Sequence, residues 1–170
     1  LAILQKRQFI DNASEARLHP LLQDHLEANL NMRPELHKAL HEVAAQHLRA
    51  VTSDSLETLY HLVQANDAPD AFQHVRSAHL HWDSTGQGEY AADLIALLLN
   101  RTRNTPILNA PLEAQFLSLR GQLLMSGRRA VEAEADLRQA VALANASNVL
   151  PEEQIQITLR LARFLLQRGK

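Results

Sequence analysis

Residues 111–140 read PLEAQFLSLRGQLLMSGRRAVEAEADLRQA, and their reading decides the fold. Leu117 and Gly121 are followed by Leu124, and then by Ala133, Leu137 and Ala140. These positions recur at three- and four-residue steps, the period of one face of an α-helix. Small residues fall where two helices must approach closely, and large ones fall where they fill the gap. The run from Pro111 to Met125 and the run from about Val131 are therefore predicted to be two antiparallel helices joined at Gly127. The helix opened by Pro151 repeats the start of the scheme, with Leu161-Ala162, then Leu165, then Gly169-Lys170 where the chain should turn.

This ladder resembles the tetratricopeptide repeat. Gly121, Ala133, Leu137 and Ala140 match the small-and-large pattern of that family, and Leu161, Ala162, Leu165 and Gly169 match its first half again. Leu117 stands where the family has a Trp, Gly127 sits one residue early, and Gly121 to Ala162 is an offset of 41 residues, against a family period of about 34. The resemblance implies an all-α protein of stacked antiparallel hairpins, a TPR-like α-solenoid with helices longer than the standard. Polar residues on the first helix of each hairpin would then face a partner: Gln115, Ser118, Arg120 and Gln122, followed by Gln156, Thr158, Arg160 and Arg163.

Composition agrees with helix. Hydrophobic residues make up 46% of the 170-residue chain while aromatics are 4%, so Leu and Ala carry the core and β-formers are sparse. The chain is long enough to bury such a core. No Cys occurs, which removes disulfides and thiolate metal sites and fits a reducing cytoplasm. A net charge of −2 argues against direct nucleic-acid binding, which calls for a basic face. No apolar run approaches the ~20 residues of a membrane span. The basic spots Arg101-Thr102-Arg103 and Arg128-Arg129 read as solvated surface, the latter balanced by Glu132, Glu134 and Asp136.

Working backwards, a helix from Pro34 carries Leu36, Leu40, Val43 and His47 on one face. Thr52, Ser53 or Asp54 is expected to cap the next helix, whose face is Leu56, Leu59, Tyr60 and Val63. Asp70 is expected to cap a third, with Ala71, Val75, Ala78 and Trp82 buried, and Ser84 to Gly88 ends it. A fourth carries Tyr90, Leu94 and Leu97 or Leu98, and 101–110 is a linker. Before Pro20, Leu1 to Lys6 reads as a helix end. Gln8-Phe9-Ile10 and Arg17-Leu18-His19 are extended segments around the turn-rich Asp11 to Ser14, a short N-terminal β-hairpin. Pro20 then opens a helix through Leu26.

A second resemblance covers this earlier half. Arg17-Leu18-His19-Pro20-Leu21-Leu22 is similar to the end of the winged-helix domain in MalT-like STAND transcriptional regulators. Leu36 to Leu48 resembles the family's next helix, and Leu59 to Asp67 resembles a helix ending in an Ala-Gly-Asp-like turn. The resemblance implies three parts: 1–32 as the end of a winged-helix-like domain, 33–105 as helical linker hairpins, and 106–170 as truncated tetratricopeptide-like repeats. It implies a non-catalytic region of a cytoplasmic regulator, binding a small-molecule effector or a partner protein on its helical surface. An ATPase core would precede Leu1; no phosphate-binding loop of the Gly-x-x-x-x-Gly-Lys type occurs here. A free-standing scaffold or adaptor is the alternative.

Enzymatic readings find little support. His37 and His41 stand at a spacing that can chelate zinc, but no third ligand can be named, so no metal or cofactor is expected. His79 and His81 are one residue apart and point to different sides of a helix. No Ser lies in a nucleophile elbow. Trp82 is expected in the core, against the helix that carries Tyr90. The last helix has two apolar stripes, Ile155/Leu159/Ala162/Leu166 and Ile157/Leu161/Leu165. One of them should be left bare, the second or its counterpart, so that the chain self-associates through this helix.

Overall fold

A computed structural model describes residues 10–12, 17–18, 29, 32–51, 55–103, 105–125 and 127–169. The chain divides into two compact units, Leu1–Leu40 and His41–Lys170. Two short strands, β1 (Ile10–Asn12) and β2 (Arg17–Leu18), pair antiparallel with Ile10 opposite Leu18. Seven helices follow among the described residues: α1 (Pro34–Val51), α2 (Leu56–Gln64), α3 (Ala68–Ser84), α4 (Gly88–Thr102), α5 (Ala110–Met125), α6 (Ala130–Ala146) and α7 (Pro151–Gln167). Among the described residues the protein is all-α apart from the two strands. The helix end expected at Leu1 to Lys6, the extended residues Gln8, Phe9 and His19, and the helix expected from Pro20 lie outside the described residues. So do the proposed caps Thr52, Ser53 and Asp54.

The helix ends follow from local chemistry. Ser55 caps α2, its side chain accepting from the Glu57 amide. Asp67, not Asp70, caps α3: its carboxylate accepts from the Asp70 amide at 3.1 Å. Asp70 lies inside the first turn and accepts from Arg49 at 2.6 Å. With Pro69 at the second position, Asp67 is the residue left with non-helical backbone to receive a free amide.

Two turns share one construction. Asn66 has φ 55° and Gly86 φ 75°, the left-handed conformation that Gly and Asn adopt most readily. The Asp67 amide reaches back to the Leu62 carbonyl at 3.0 Å, and the Gln87 amide to Trp82 at 2.8 Å. Both close α2 and α3 with the paired capping bonds of a Schellman turn, leaving connections of three residues each. The Ala65-Asn66-Asp67 and Gly86 punctuation thus reverses the chain twice within about twenty residues.

Within the second unit, helices pack on neighbours in sequence and on next-but-one neighbours: α2 on α3 and α4, α3 on α4 and α5, α5 on α4, α6 and α7, and α6 on α7. The densest contact is α5 with α6. Gly121, Ala133, Leu137 and Ala140 are all buried there. A Cβ on Gly121 would stand 2.7 Å from Leu137 Cγ and 3.2 Å from the Ala133 carbonyl oxygen, so only glycine permits this approach. Ala71, Val75, Ala78 and Trp82 are fully buried, and Trp82 meets the His74 ring edge-on at 5.5 Å. Each large side chain so buried contributes about 1.5–3 kcal/mol. Leu108, in the expected linker, joins the same core.

Several expected core positions are exposed. On α1, Leu36, Leu40, Val43 and His47 lie open, and Ala45 is the buried residue. Tyr60 and Tyr90 are exposed, Leu62 and Ile95 being buried on their helices instead, and of the Leu97/Leu98 pair Leu98 is inside. On α7 the inward side carries Ile157 and Phe164 with Leu161 and Leu165 half-buried, so Ile155, Leu159, Ala162 and Leu166 form the bare stripe. Phe164, seven residues after Ile157 and so on the same face, adds to the second stripe and turns it inward. No helix among the described residues is long and apolar enough to cross a membrane.

Candidate functional site

The odd-numbered helices α3, α5 and α7 bound a concavity. One cavity of about 640 Å³ is lined by Phe72, Arg76 and His79 of α3, Gln115 and Leu119 of α5, and Glu152, Glu153, Gln156, Ile157 and Arg160 of α7, with Leu150 just before it. A second cavity, of about 260 Å³, is lined by Asp83, Gln122, Met125, Arg160, Arg163 and Gln167. Arg160 lines both, so the two form one groove running along three helices.

The lining follows helical geometry. Residues at i, i+4, i+7 and i+11 share a face. Phe72/Arg76/His79/Asp83, Gln115/Leu119/Gln122 and Gln156/Arg160/Arg163/Gln167 all obey this spacing. Of the eight residues expected on the surface, Gln115, Gln122, Gln156, Arg160 and Arg163 line the groove. Ser118 is buried beneath it.

Arg120 and Thr158 do not face the groove. Thr158 is two residues from both Gln156 and Arg160, and Arg120 two residues from Gln122, a step of about 200° around the helix. Arg120 turns to α6, where it donates to Asp136 at 3.0 Å and to Glu132 at 3.3 Å. Burial pushes the Asp136 carboxyl up to about 6, against the pull of Arg120. Thr158 is exposed and donates to the Gln154 carbonyl of its own helix. Arg76 and Asp83 were not singled out on the sequence, and His79 was weighed there only as a metal ligand, although α3 carries the same spacing one hairpin earlier.

Arg160 is the centre of the groove. Its Nε donates to Gln122 Oε1 at 2.7 Å and its Nη1 to Ser118 Oγ at 3.1 Å. It is half-buried, and it forms no ion pair among the described residues. Burial, then Arg163 and then Arg76 hold its pKa below the usual arginine value. His79 is half-buried, its Nδ1 donating to the Arg76 carbonyl at 3.0 Å; burial holds its pKa down, and Arg160 adds to this. At one end Gln115 donates to Glu153.

Several charges elsewhere are paired. Arg129 bridges Asp93 at 2.5 Å and Glu132 at 2.7 Å, and Arg138 meets Glu134 at 3.0 Å. His41 meets His61 of α2, their Nδ1 atoms 2.6 Å apart. Burial holds the His61 pKa down. Among the described residues, no three His, Asp or Glu side chains gather as a metal set.

No protein family matches the chain, and neither a curated relative nor a solved structure matches it.

Proposed function

We infer that this chain is a binding region that holds a partner in the α3/α5/α7 groove. The observation that carries this reading is the groove's lining. Three helices present side chains at one repeated spacing, with amide and guanidinium groups along the groove's middle and His79, Asp83, Glu152 and Glu153 beside them. Contacts limited to nearest and next-nearest helices support a TPR-like solenoid, in which first helices share one face and second helices back them.

The resemblance to MalT-like STAND regulators gives the biological setting. In this reading, strands β1 and β2 end a winged-helix-like domain, and the helices after Pro34 form the linker and early repeats of a cytoplasmic transcriptional regulator. The region is non-catalytic and needs no cofactor. The Ala65-Asn66-Asp67 turn supports the likeness, with Asn66 in the left-handed conformation where the family's turn has Gly. A free-standing scaffold would use the same groove, and a phosphate-binding loop upstream of Leu1 in the gene separates the two.

Photo-cross-linking in the full-length protein tests the reading. A benzophenone side chain at Gln156 should capture a specific partner or effector, while the same group at Thr158 should not. Capture from position 158 alone would place the binding face on the other side of α7 and sink the proposal.

A further inference from the structure

The binding groove, taken as the site of that proposed function, has an electrostatic pattern that specifies its occupant. Three guanidinium groups, Arg76, Arg160 and Arg163, line the continuous groove. Among the described residues, none of the three has an ion pair. Arg49, Arg120, Arg129 and Arg138 each meet a carboxylate within 3.3 Å, and Arg101 is held by the neutral oxygens of Gln64 and Val63; what sets the groove apart is that three guanidinium groups without an ion pair converge on it.

Arg160 is also fixed in place. Gln122 and Ser118 hold two of its three nitrogens through neutral oxygens, leaving Nη2 without a hydrogen bond. A half-buried cation satisfied only by neutral groups keeps most of its capacity for a charge-assisted bond. The acidic residues of the lining stand towards its ends. Glu152 and Glu153 lie by the start of α7, Glu153 already accepting from Gln115, and Asp83 lies near the end of α3. The centre is positive and the two ends are negative.

We propose that the groove takes an extended peptide segment with an acidic residue at its centre, whose carboxylate is received by Arg160 between Arg76 and Arg163. From Glu153 to Gln167 the groove follows α7 for about 21 Å, the length of roughly six extended residues. The amide side chains of Gln115, Gln122 and Gln156 lie along that length and can both donate to and accept from peptide groups. Glu152, Glu153 and Asp83 disfavour further acidic residues at the segment's ends, so its charge is concentrated in the middle. A compact anion would use only the arginine centre and leave the glutamines idle.

The test selects seven-residue peptides on the 170-residue chain from two randomised libraries, one with Glu and one with Gln fixed at the centre. The Glu library should be enriched at least tenfold over the Gln library. Arg160→Gln, and separately the double change Arg76→Gln/Arg163→Gln at two exposed positions, should abolish that preference, while Arg138→Gln on the outer surface should leave it intact. Equal enrichment of both libraries, still blocked by Gln156→Trp, would overturn the acidic assignment and leave the groove as a binding site. No enrichment over the Gln156→Trp protein in either library would overturn the peptide assignment altogether. Binding of inorganic phosphate or citrate with the same arginine dependence, and of no peptide, would overturn it in favour of a small anion.

Discussion

Gly121 and Ala133 set how closely α5 and α6 can approach. With Leu137 Cγ only 2.7 Å from where a Gly121 Cβ would stand, even Gly121→Ala must displace the Leu137 side chain. That change, and Ala133→Leu in the same contact, should each cost roughly 1–3 kcal/mol in chemical denaturation, as overpacked cores do. Ala135→Leu is the control: it is exposed on the same helix and should cost much less. Equal losses at positions 133 and 135 would mean that the close approach lies elsewhere. These small residues were legible in the sequence because the approach of two helices leaves a local, periodic trace. The partner of a single charged residue leaves none: Arg120 and Arg160 both stand among apolar neighbours, and only packing shows that one is claimed by Asp136 and the other is left for the groove.

At the scale of one element, α7 has an inward side built on Ile157 and Phe164 and an outward stripe of Ile155, Leu159, Ala162 and Leu166, with Leu166 76% exposed. An apolar stripe left in water favours association. The chain should therefore self-associate in sedimentation at high concentration, and Leu159→Glu/Leu166→Glu should yield a monomer with an unchanged helical spectrum. Leu161→Glu/Leu165→Glu should instead destabilise the fold, since both residues pack against the core. A monomeric unmodified chain at high concentration would remove the stripe's role in association. The sequence displayed both stripes and they were left unranked because Phe164 was not counted; seven residues after Ile157 and three after Leu161, it belongs to the second stripe and tips that side inward. Capping was legible only to within a few residues. Ser55 and Asp67 stand beside other good caps, and the choice is made by which residue keeps non-helical backbone.

For the whole molecule, the helical class and most of the core of α3, α5 and α6 could be read from apolar spacing. Five of the eight expected surface residues line the groove. The misplaced pair, Arg120 and Thr158, was recoverable in principle, since a helical step of about 100° puts both on the far side of their helices from Gln122 and Gln156. Arg76 and Asp83 were missed, and His79 was weighed only as a metal ligand, because α3 was read for its buried stripe and not for the polar stripe beside it. The face of α1 was misjudged for the opposite reason: Leu36, Leu40 and Val43 have core-like spacing, yet the side that packs carries Ala45. The central claim is that a partner occupies the α3/α5/α7 groove. It is tested most directly by titrating the partner captured by cross-linking against two matched variants, Gln156→Trp within the groove and Thr158→Trp on the outer side, by calorimetry. Both positions are exposed, so neither change burdens the fold. The account predicts at least a tenfold weaker Kd for Gln156→Trp and less than a twofold change for Thr158→Trp. Equal effects, or a larger loss at position 158, would contradict it.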